Sequence, residues 1–231
     1  MTIHALVQLA GRTSTQWGLV TTAQAAALGV SRQQLSELTQ TGALERVEQG
    51  VYRATAAPAS THELTHATWL ALGGADYTWP EVPPVVAAGQ TAAIMHGIGD
   101  FTPDGYDFYT ARRKGTRLPG VRLKTRTLTA DEIGHAPEGM PVLSVERTIA
   151  DLVERWVDTS QVARALAQAE QAGQLVFPAR LARFLSPLAA ANNMPAGDGA
   201  ALARELYEIA DLDIPPPIRR TGTGETAQEQ P

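Results

Sequence analysis

Apolar residues recur at helical spacing in the N-terminal part of the chain, and glycines interrupt the pattern. The spacing predicts a first helix over about residues 2–12. AQAAAL (23–28) predicts a second helix, which ends at Gly29. A third helix is predicted to begin after Ser31, a favourable N-cap residue, and to end at Gly42. The apolar residues expected to face a core are Leu6, Val7, Leu9, Ala10, Val30, Leu35 and Leu38.

Two short strand patterns follow the third helix. ALERV (43–47) and GVYRA (50–54) predict strands, joined by a turn at 48–50. Helices followed by a β-hairpin in this order are typical of a winged helix-turn-helix, whose third helix enters the major groove of DNA. Arg46 and Arg53 flank the hairpin, where they can pair with phosphates. The side chains at the start of the third helix that can bond to base edges are Ser31, Arg32, Gln33 and Gln34.

The rest of the chain mixes strand and helix patterns. TAAPAST (55–61) has the composition of a linker, and WPEVPP (79–84) is a proline-rich break. Strands are predicted at YDFYT (106–110), VRLKTR (121–126) and MPVLS (140–144). Helices are predicted from HELTH through ATWLALGG, within VVAAGQTAAIMHGIG, in SVERTIADLVERW (144–156), and over about 160–172, 178–188 and 198–210.

These elements predict an α+β fold, with an N-terminal winged helix-turn-helix followed by a mixed α/β C-terminal domain that has a helical C-terminal part. The expected domains are a DNA-binding domain over 1–57 and an α/β domain over 58–212. Residues 213–231 are rich in proline, glycine and polar residues, and they are expected to form a disordered tail. The apolar side of the helix over 144–156 is expected to contain Val145, Ile149, Leu152, Val153 and Trp156.

Composition places the chain among ordinary globular proteins, with 44% hydrophobic and 19% charged residues among 231. Cysteine is absent, which excludes disulfides, thiolate nucleophiles and cysteine-based zinc sites. No apolar run is as long as a membrane span and no signal-peptide pattern is present, so a cytoplasmic protein without a membrane partner is expected. The net charge is −5, but residues 1–57 and 58–127 each carry +1 and residues 128–231 carry −7, so the acidity is confined to the C-terminal part.

A second basic surface is predicted within residues 112–126, which contain seven cations and no acid. Alternation along VRLKTR would place three of these cations on one face of a sheet, which is unfavourable unless the face is solvated or meets an anion. The surface either contacts phosphates or docks an acidic partner; the alternative is a solvated face partly neutralised by the acidic C-terminal helices. Its residues are Arg112, Arg113, Lys114, Arg117, Arg122, Lys124 and Arg126.

HELTH (62–66) matches the zinc-protease pattern H-E-x-x-H, in which His62 and His66 would bind Zn²⁺ and Glu63 would act as general base. The third ligand of the extended motif is missing, because positions 69 and 72 are Trp and Leu. The same letters fit a capping box with Ser60 as N-cap and Glu63 three residues later, which would leave both histidines on a solvated surface. A helix start after a linker is therefore the preferred interpretation, and no metal or other cofactor is expected.

Two further candidate features have a structural interpretation. Asp100, Asp104 and Asp107 do not have the spacing of a calcium loop and are expected to be turn residues. His96 is expected to be a buried or helix-end residue. Since no nucleophile, phosphate-binding or dinucleotide-binding motif is present either, the chain is not expected to be an enzyme.

The order of motifs resembles the antitoxin family of AbiEi-type (abortive infection, type IV) toxin–antitoxin systems. The resemblance covers about residues 5–157. It rests on the winged helix that ends in GVYRA, and on AAIMHGIGDF, TARRKGTRLPGVRLKTRTLTADEI and GMPVLSVERTIADLV, in that order.

The resemblance implies that the winged helix binds inverted repeats in the promoter of its own operon and represses it, as a monomer or a dimer on double-stranded DNA. It adds Tyr52 to the candidate DNA-binding residues, beside Arg46 and Arg53 at the wing. It also implies that the C-terminal domain counters a nucleotidyltransferase-type toxin without a stable complex. The alternatives are a protein-interaction module whose winged helix is only structural, and a zinc hydrolase that uses HELTH.

Overall fold

The computed structural model places the chain in the predicted α+β class, with a winged-helix region, a mixed sheet and C-terminal helices. The predicted proline-rich break at 79–84 lies partly outside the described residues, and most of the predicted tail at 213–231 lies outside them. No helix in the described part of the chain is long and apolar enough to cross a membrane. The described residues are 2–74, 82–175, 177–216 and 218.

The described residues fall into two units. Unit 1 consists of Met1–His96 and Thr102–Leu143, and unit 2 consists of Gly97–Phe101 and Ser144–Pro231. The domain boundary predicted after residue 57 lies inside unit 1, so the winged helix and the mixed sheet belong to the same compact unit.

The winged helix of unit 1 contains every helix and strand that the sequence predicts there, and one strand more. The additional strand, β1, pairs with β3, so the sheet has the antiparallel order β1-β3-β2. Its three residues are too few to give an alternating pattern. The elements are α1 (Thr2–Thr13), β1 (Leu19–Thr21), α2 (Thr22–Ala27), α3 (Arg32–Gln40), β2 (Leu44–Glu48) and β3 (Val51–Ala54).

The core of the winged helix is formed by the predicted face of α3 and by a face of α1 that differs in part from the predicted one. Leu35 and Leu38 are fully buried, as predicted. In α1 the prediction was right for Leu9, which is buried, and wrong for Val7, which is 67% exposed, and for Ala10; the helix also buries Ala5, which was not predicted. Residues four apart lie on the same face of a helix, and adjacent residues do not.

The remainder of unit 1 is built on a five-stranded mixed sheet in the order β6-β5-β4-β8-β7. The strand predicted at 106–110 is confirmed to the residue. The helix predicted within VVAAGQTAAIMHGIG begins only at Gly89, because VVA forms a buried central strand. The elements are α4 (Glu63–Ala71), β4 (Val85–Ala87), α5 (Gly89–His96), β5 (Tyr106–Thr110), β6 (Val121–Thr125), β7 (Ile133–His135) and β8 (Pro141–Leu143).

One hydrophobic core joins the winged helix to the mixed sheet. Leu19 of β1 and Val51 of β3 belong to the same buried cluster as Trp69 of α4, Val86 of β4 and Phe108 of β5. Apolar residues therefore lie on both faces of the three-stranded sheet. One face packs on the winged-helix core, and the other packs toward α4.

Unit 2 contains the four helices that the sequence predicts for the C-terminal part, each within three residues of the predicted bounds. α6 packs against α7 and α8, and α9 packs against both of these as well. Trp156 is a correction: it follows the end of α6, has a φ of 57° and is 71% exposed, so it does not extend the buried face of that helix. The helices are α6 (Val145–Glu154), α7 (Thr159–Gln171), α8 (Pro178–Leu185) and α9 (Gly199–Ile209).

Candidate nucleic-acid interface

The start of α3 is exposed and closed by a reciprocal capping box. Ser31 is the N-cap: its Oγ accepts a hydrogen bond from the Gln34 backbone N–H at 3.2 Å, and Gln34 Oε1 accepts one from the Ser31 N–H at 2.8 Å. The exchange satisfies two backbone donors that a helix start leaves open, as the sequence predicts for Ser31. Ser31 and Gln34 therefore position the helix, whereas Arg32 and Gln33 are the exposed side chains beside them.

The turn between α2 and α3 holds α3 on the winged-helix core. Gly29 has a φ of 81°, a left-handed conformation that favours glycine. Val30 then donates its N–H to the Ala25 carbonyl at 2.9 Å and buries its side chain. Since the apolar face of α3 is fixed in this way, the face that carries Arg32 is left to solvent.

The β2–β3 hairpin forms the wing, and it is fastened to the start of α2. The Gly50 carbonyl accepts hydrogen bonds from the Thr22 N–H at 2.8 Å and from Thr22 Oγ1 at 3.2 Å. Arg46 is exposed and lies opposite Tyr52 in the strand register, while Tyr52 is half-buried against the winged-helix core. A β-bulge follows Arg46. The wing thus places the cation of Arg46 and the phenol of Tyr52 at paired positions of the hairpin.

Arg53, another predicted DNA-binding residue, has a guanidinium that already makes three contacts within unit 1. Its Nη2 lies 2.6 Å from Glu45 Oε2, and its Nη1 donates to the Ala57 carbonyl at 3.0 Å. Its Nε lies 2.8 Å from Glu63 Oε1, as a charge contact without the geometry of a linear hydrogen bond. Arg53 therefore fastens β3 to β2 and to the start of α4.

The strand half of the predicted second basic surface is largely compensated. Arg122 forms a two-point ion pair with the buried Asp107 of the adjacent strand, at 2.9 Å and 3.0 Å. The guanidinium of Arg126 lies 5.5 Å from the centre of the Tyr109 ring. Lys124 is exposed between them. The row of like charges expected on this face is therefore relieved by one carboxylate and one aromatic ring.

The loop half of that surface, from Arg112 to Leu118, carries exposed cations. Arg112, Arg113, Lys114 and Arg117 are all exposed. Lys114 Nζ donates to the carbonyl of Leu72, the C-cap residue of α4, at 2.6 Å. A cation at the C-terminal end of a helix is favoured by the exposed carbonyls there. The loop is therefore attached to α4 by one of its own cations.

The wing, the start of α3 and this loop line one open cleft of about 600 Å³ within unit 1. The cleft unites residues that the sequence assigned to two separate surfaces. No carboxylate is among its lining residues, which all belong to the described part of the chain. The polar and charged lining residues are Thr22, Arg32, Arg46, Gln49, Tyr52, Lys114, Thr116 and Arg117, and sequence analysis missed Thr22, Gln49 and Thr116 because no local pattern marks them.

HELTH forms neither the predicted capping box nor a metal site. α4 begins at Glu63 with His62 as its N-cap residue, and Ser60 instead donates from Oγ to Glu138 Oε2 at 2.8 Å. Glu63 forms an ion pair with Arg53. The prediction of a solvated surface was wrong for His66, which is fully buried. Among the described residues, no group of three or more histidines, aspartates or glutamates is arranged to hold a metal ion.

His66 lies at the joint between the winged helix and α4. Its ring stacks on the Trp17 indole with centroids 4.0 Å apart and planes 1° from parallel. Its Nε2 lies 3.3 Å from Glu138 Oε2, and Trp17 Nε1 donates to the Glu138 carbonyl at 2.8 Å. Burial lowers the pKa of His66 to about 4, although the charge of Glu138 acts in the opposite direction. The imidazole is therefore neutral at pH 7 and serves as a packing group.

The remaining candidates keep structural roles. His96 ends α5, is buried and bonds through Nε2 to the Leu143 carbonyl at 2.7 Å, as expected of a buried helix-end histidine. Asp100 is held by Arg164 and Gln168, whose hydrogen bonds keep the pKa of its carboxyl below the ordinary value. Asp107 is a correction, since it lies in strand β5 and not in a turn.

The fold of the N-terminal part defines a structural class, the winged helix. Residues 12–55 match the family model described as "Transcriptional regulator, AbiEi antitoxin". The matched segment contains α2, α3 and the wing. The N-terminal segment is therefore similar to that family, which agrees with the resemblance of the sequence motifs.

The fold is also similar to that of a solved structure, the crystal structure of RV2827C protein from Mycobacterium tuberculosis. The two chains are 17% identical, with a TM-score of 0.52 over 90% of this chain and 78% of that chain. At this identity the likeness concerns the fold. A search of curated proteins finds no match.

Proposed function

We propose that the protein is the antitoxin of a type IV toxin–antitoxin pair and represses its own operon by binding inverted repeats in the promoter. The observation that carries this proposal is the exposed basic edge of an AbiEi-type winged helix. Arg32 at the start of α3 and Arg46 at the wing are exposed, and neither has a carboxylate partner among the described residues. A cation without a partner on a nucleic-acid-binding fold is suited to DNA.

Each side chain of the proposed interface has a distinct task. Arg32 and Gln33 would enter the major groove, where arginine pairs with guanine and glutamine with adenine. The side-chain amide of Gln33 is oriented by a hydrogen bond that its Nε2 donates to Glu37 Oε1 at 3.1 Å. Ser31 and Gln34 would hold the first turn in the orientation for reading, and Arg46 and Tyr52 would contact the sugar–phosphate backbone.

The antitoxic part of the proposal is supported by the family resemblance. We infer that the C-terminal part of the chain counters a nucleotidyltransferase-type toxin in the cytoplasm without a stable complex, and that the protein itself is not an enzyme. The inverted repeats imply two copies on one operator, whether they pair before binding or only on DNA.

A gel shift with the DNA upstream of the protein's own gene tests the repressor proposal. The full-length chain should shift this DNA at low salt and prefer it to scrambled DNA of equal length. Arg32→Gln should lower that preference by about 1–3 kcal/mol, because one base pair loses its bidentate contact.

The matched control is Arg12→Gln, which removes an exposed arginine from α1 and should keep the preference. No shift by the wild-type chain at low salt would refute the repressor. An unchanged preference in Arg32→Gln would show that another element reads the bases, as in a protein-interaction module whose winged helix is only structural.

A further inference from the structure

The cleft beside the wing has two walls from distant parts of the sequence. One wall is the winged helix, with Arg32 and Arg46, and the other is the loop over 114–118. Arg32 therefore belongs both to the proposed base-reading turn and to the cleft. Whatever occupies the cleft lies next to the groove that α3 would enter.

Both walls are held in fixed positions. On the loop side, Lys114 is tied to the Leu72 carbonyl, Leu118 donates its N–H to Thr116 Oγ1 at 3.1 Å, and the Leu118 side chain packs on the core of unit 1. On the winged-helix side, β1 and β3 share that same core. The cleft is thus a preformed feature of unit 1.

The charge of the cleft is uncompensated. Arg32, Arg46, Lys114 and Arg117 line it, and no carboxylate does. Like charges around one concave surface repel each other, and the surface becomes favourable when it holds an anion. Gln49 and Tyr52 add uncharged hydrogen-bond donors to the same lining, whereas the Thr22 hydroxyl donates to the Gly50 carbonyl. This combination of cations and neutral donors is the one that proteins present to phosphate oxygens.

We propose that the cleft holds the sugar–phosphate backbone of the same DNA duplex whose major groove α3 enters. Lys114 and Arg117 would then contact phosphates beyond the reach of the winged helix alone. The inference rests on the proposed repressor function and extends it to a part of the chain outside the matched segment. The inference also divides the predicted second basic surface into two parts. The loop contacts DNA, whereas Arg122 and Arg126 have structural partners on the sheet.

The salt dependence of operator binding by the full-length chain tests this proposal. Each phosphate contact contributes about −0.9 to the slope of log K against log salt concentration. Arg117→Gln should therefore make the slope shallower by about 0.9 and weaken binding about tenfold near 0.1 M salt. The loss of affinity in Arg117→Gln should be equal for operator DNA and scrambled DNA, because a phosphate contact carries no sequence information.

Lys124→Gln is the matched control, because it removes an exposed cation of the same basic stretch that does not line the cleft. It should keep the wild-type slope, and Arg117→Lys, which conserves the charge, should keep it as well. Hydroxyl-radical footprinting should show protected backbone positions that disappear in Arg117→Gln. Thermal unfolding should show equal midpoints for all variants, since both side chains are exposed.

The outcomes separate the two proposals. Suppose that the wild-type chain binds its operator and that Arg117→Gln has the same salt slope and footprint as the wild type. The proposal that the cleft binds the DNA backbone would then be wrong, but the proposed repressor function would not be contradicted. An equal change of slope in Lys124→Gln would also overturn the cleft proposal, because the effect would then belong to general charge. Failure of the wild-type chain to bind its operator would overturn the repressor function itself.

Discussion

His66 is a residue whose chemistry is determined entirely by its surroundings. It is fully buried, its ring is covered by Trp17, and neither ring nitrogen makes a hydrogen bond within the described part of the chain. The charged form is therefore disfavoured, and the pKa falls from 6.5 to about 4. In the unfolded chain the pKa returns to its ordinary value, so folding and protonation oppose each other.

This opposition predicts an acid-sensitive stability. Above pH 6.5 His66 is neutral in both states and contributes nothing to the pH dependence. As the pH falls from 6.5 to about 4, only the unfolded state gains a proton, and the free energy of unfolding should fall by about 3 kcal/mol.

Urea denaturation across this pH range measures the effect. His66→Phe keeps an aromatic ring beside Trp17 and should remove this part of the pH dependence, whereas His4→Gln, a change at an exposed residue of α1, should retain it. Equal pH dependence in wild type and His66→Phe would show that the ring is solvated.

At the residue scale, the sequence predicts local chemistry and misses distant partners. The cap at Ser31 and the turn at Gly29 were predictable because all their atoms come from neighbouring residues. The roles of His66 and Arg53 were not, because Trp17, which covers the His66 ring, and Glu63, which pairs with Arg53, are brought near only by the fold. A five-letter motif carries no information about such partners.

Among the elements, α6 shows how a segment that resembles a family pattern can serve the fold. Within SVERTIADLV, every residue from Val145 to Val153 is buried, including Arg147 and Asp151. Asp151 lies 2.8 Å from Arg155 Nε and 3.7 Å from Arg147 Nη2, and Arg147 Nη2 also lies 2.7 Å from Glu154 Oε2, so these side chains form one charge network. Removing one member of such a network leaves buried charge without compensation.

Asp151→Ala is therefore expected to destabilise the protein by about 3–5 kcal/mol. Urea denaturation at pH 7 measures this loss. Glu208→Gln, which changes an exposed acid of α9, should change the free energy of unfolding by less than about 0.5 kcal/mol. A small loss in Asp151→Ala would mean that Glu154 and solvent suffice to compensate the two guanidinium groups.

Element length explains in large part which elements were predictable, although the three-residue strand β8 was predicted from MPVLS. The amphipathic helices α7, α8 and α9 span two or more turns, so their apolar periodicity is visible in the sequence. Strands β1, β4 and β7 have three residues each, and their pairing partners lie elsewhere in the chain. Such strands exist because the sheet supplies hydrogen bonds, which no local pattern records.

For the whole molecule, the shared core of unit 1 bears on the domain boundary predicted at residue 57. Leu19 and Val51 are fully buried, but they pack against residues of α4 and the mixed sheet. A fragment that ends at residue 57 would expose this face of its three-stranded sheet. Exposed apolar area of this kind lowers the stability of a small domain.

Residues 1–57 expressed alone are therefore expected to bind a hydrophobic dye and to melt without a sharp transition. Residues 1–143, which retain the shared core, should melt cooperatively. Circular dichroism during thermal unfolding compares the two fragments. A sharp transition for 1–57 would establish the winged helix as an independent domain.

The cleft also bears on how the protein would first encounter DNA. The chain as a whole carries −5, whereas the cleft carries only cations. At 0.01 M salt the screening length is about 30 Å, so a distant DNA duplex is repelled by the net negative charge of the whole chain. At 0.15 M salt the screening length is about 8 Å, so the duplex interacts only with nearby charges, which are the cations of the cleft. Association should therefore be fastest at an intermediate ionic strength, and the protein would approach its operator with one side only.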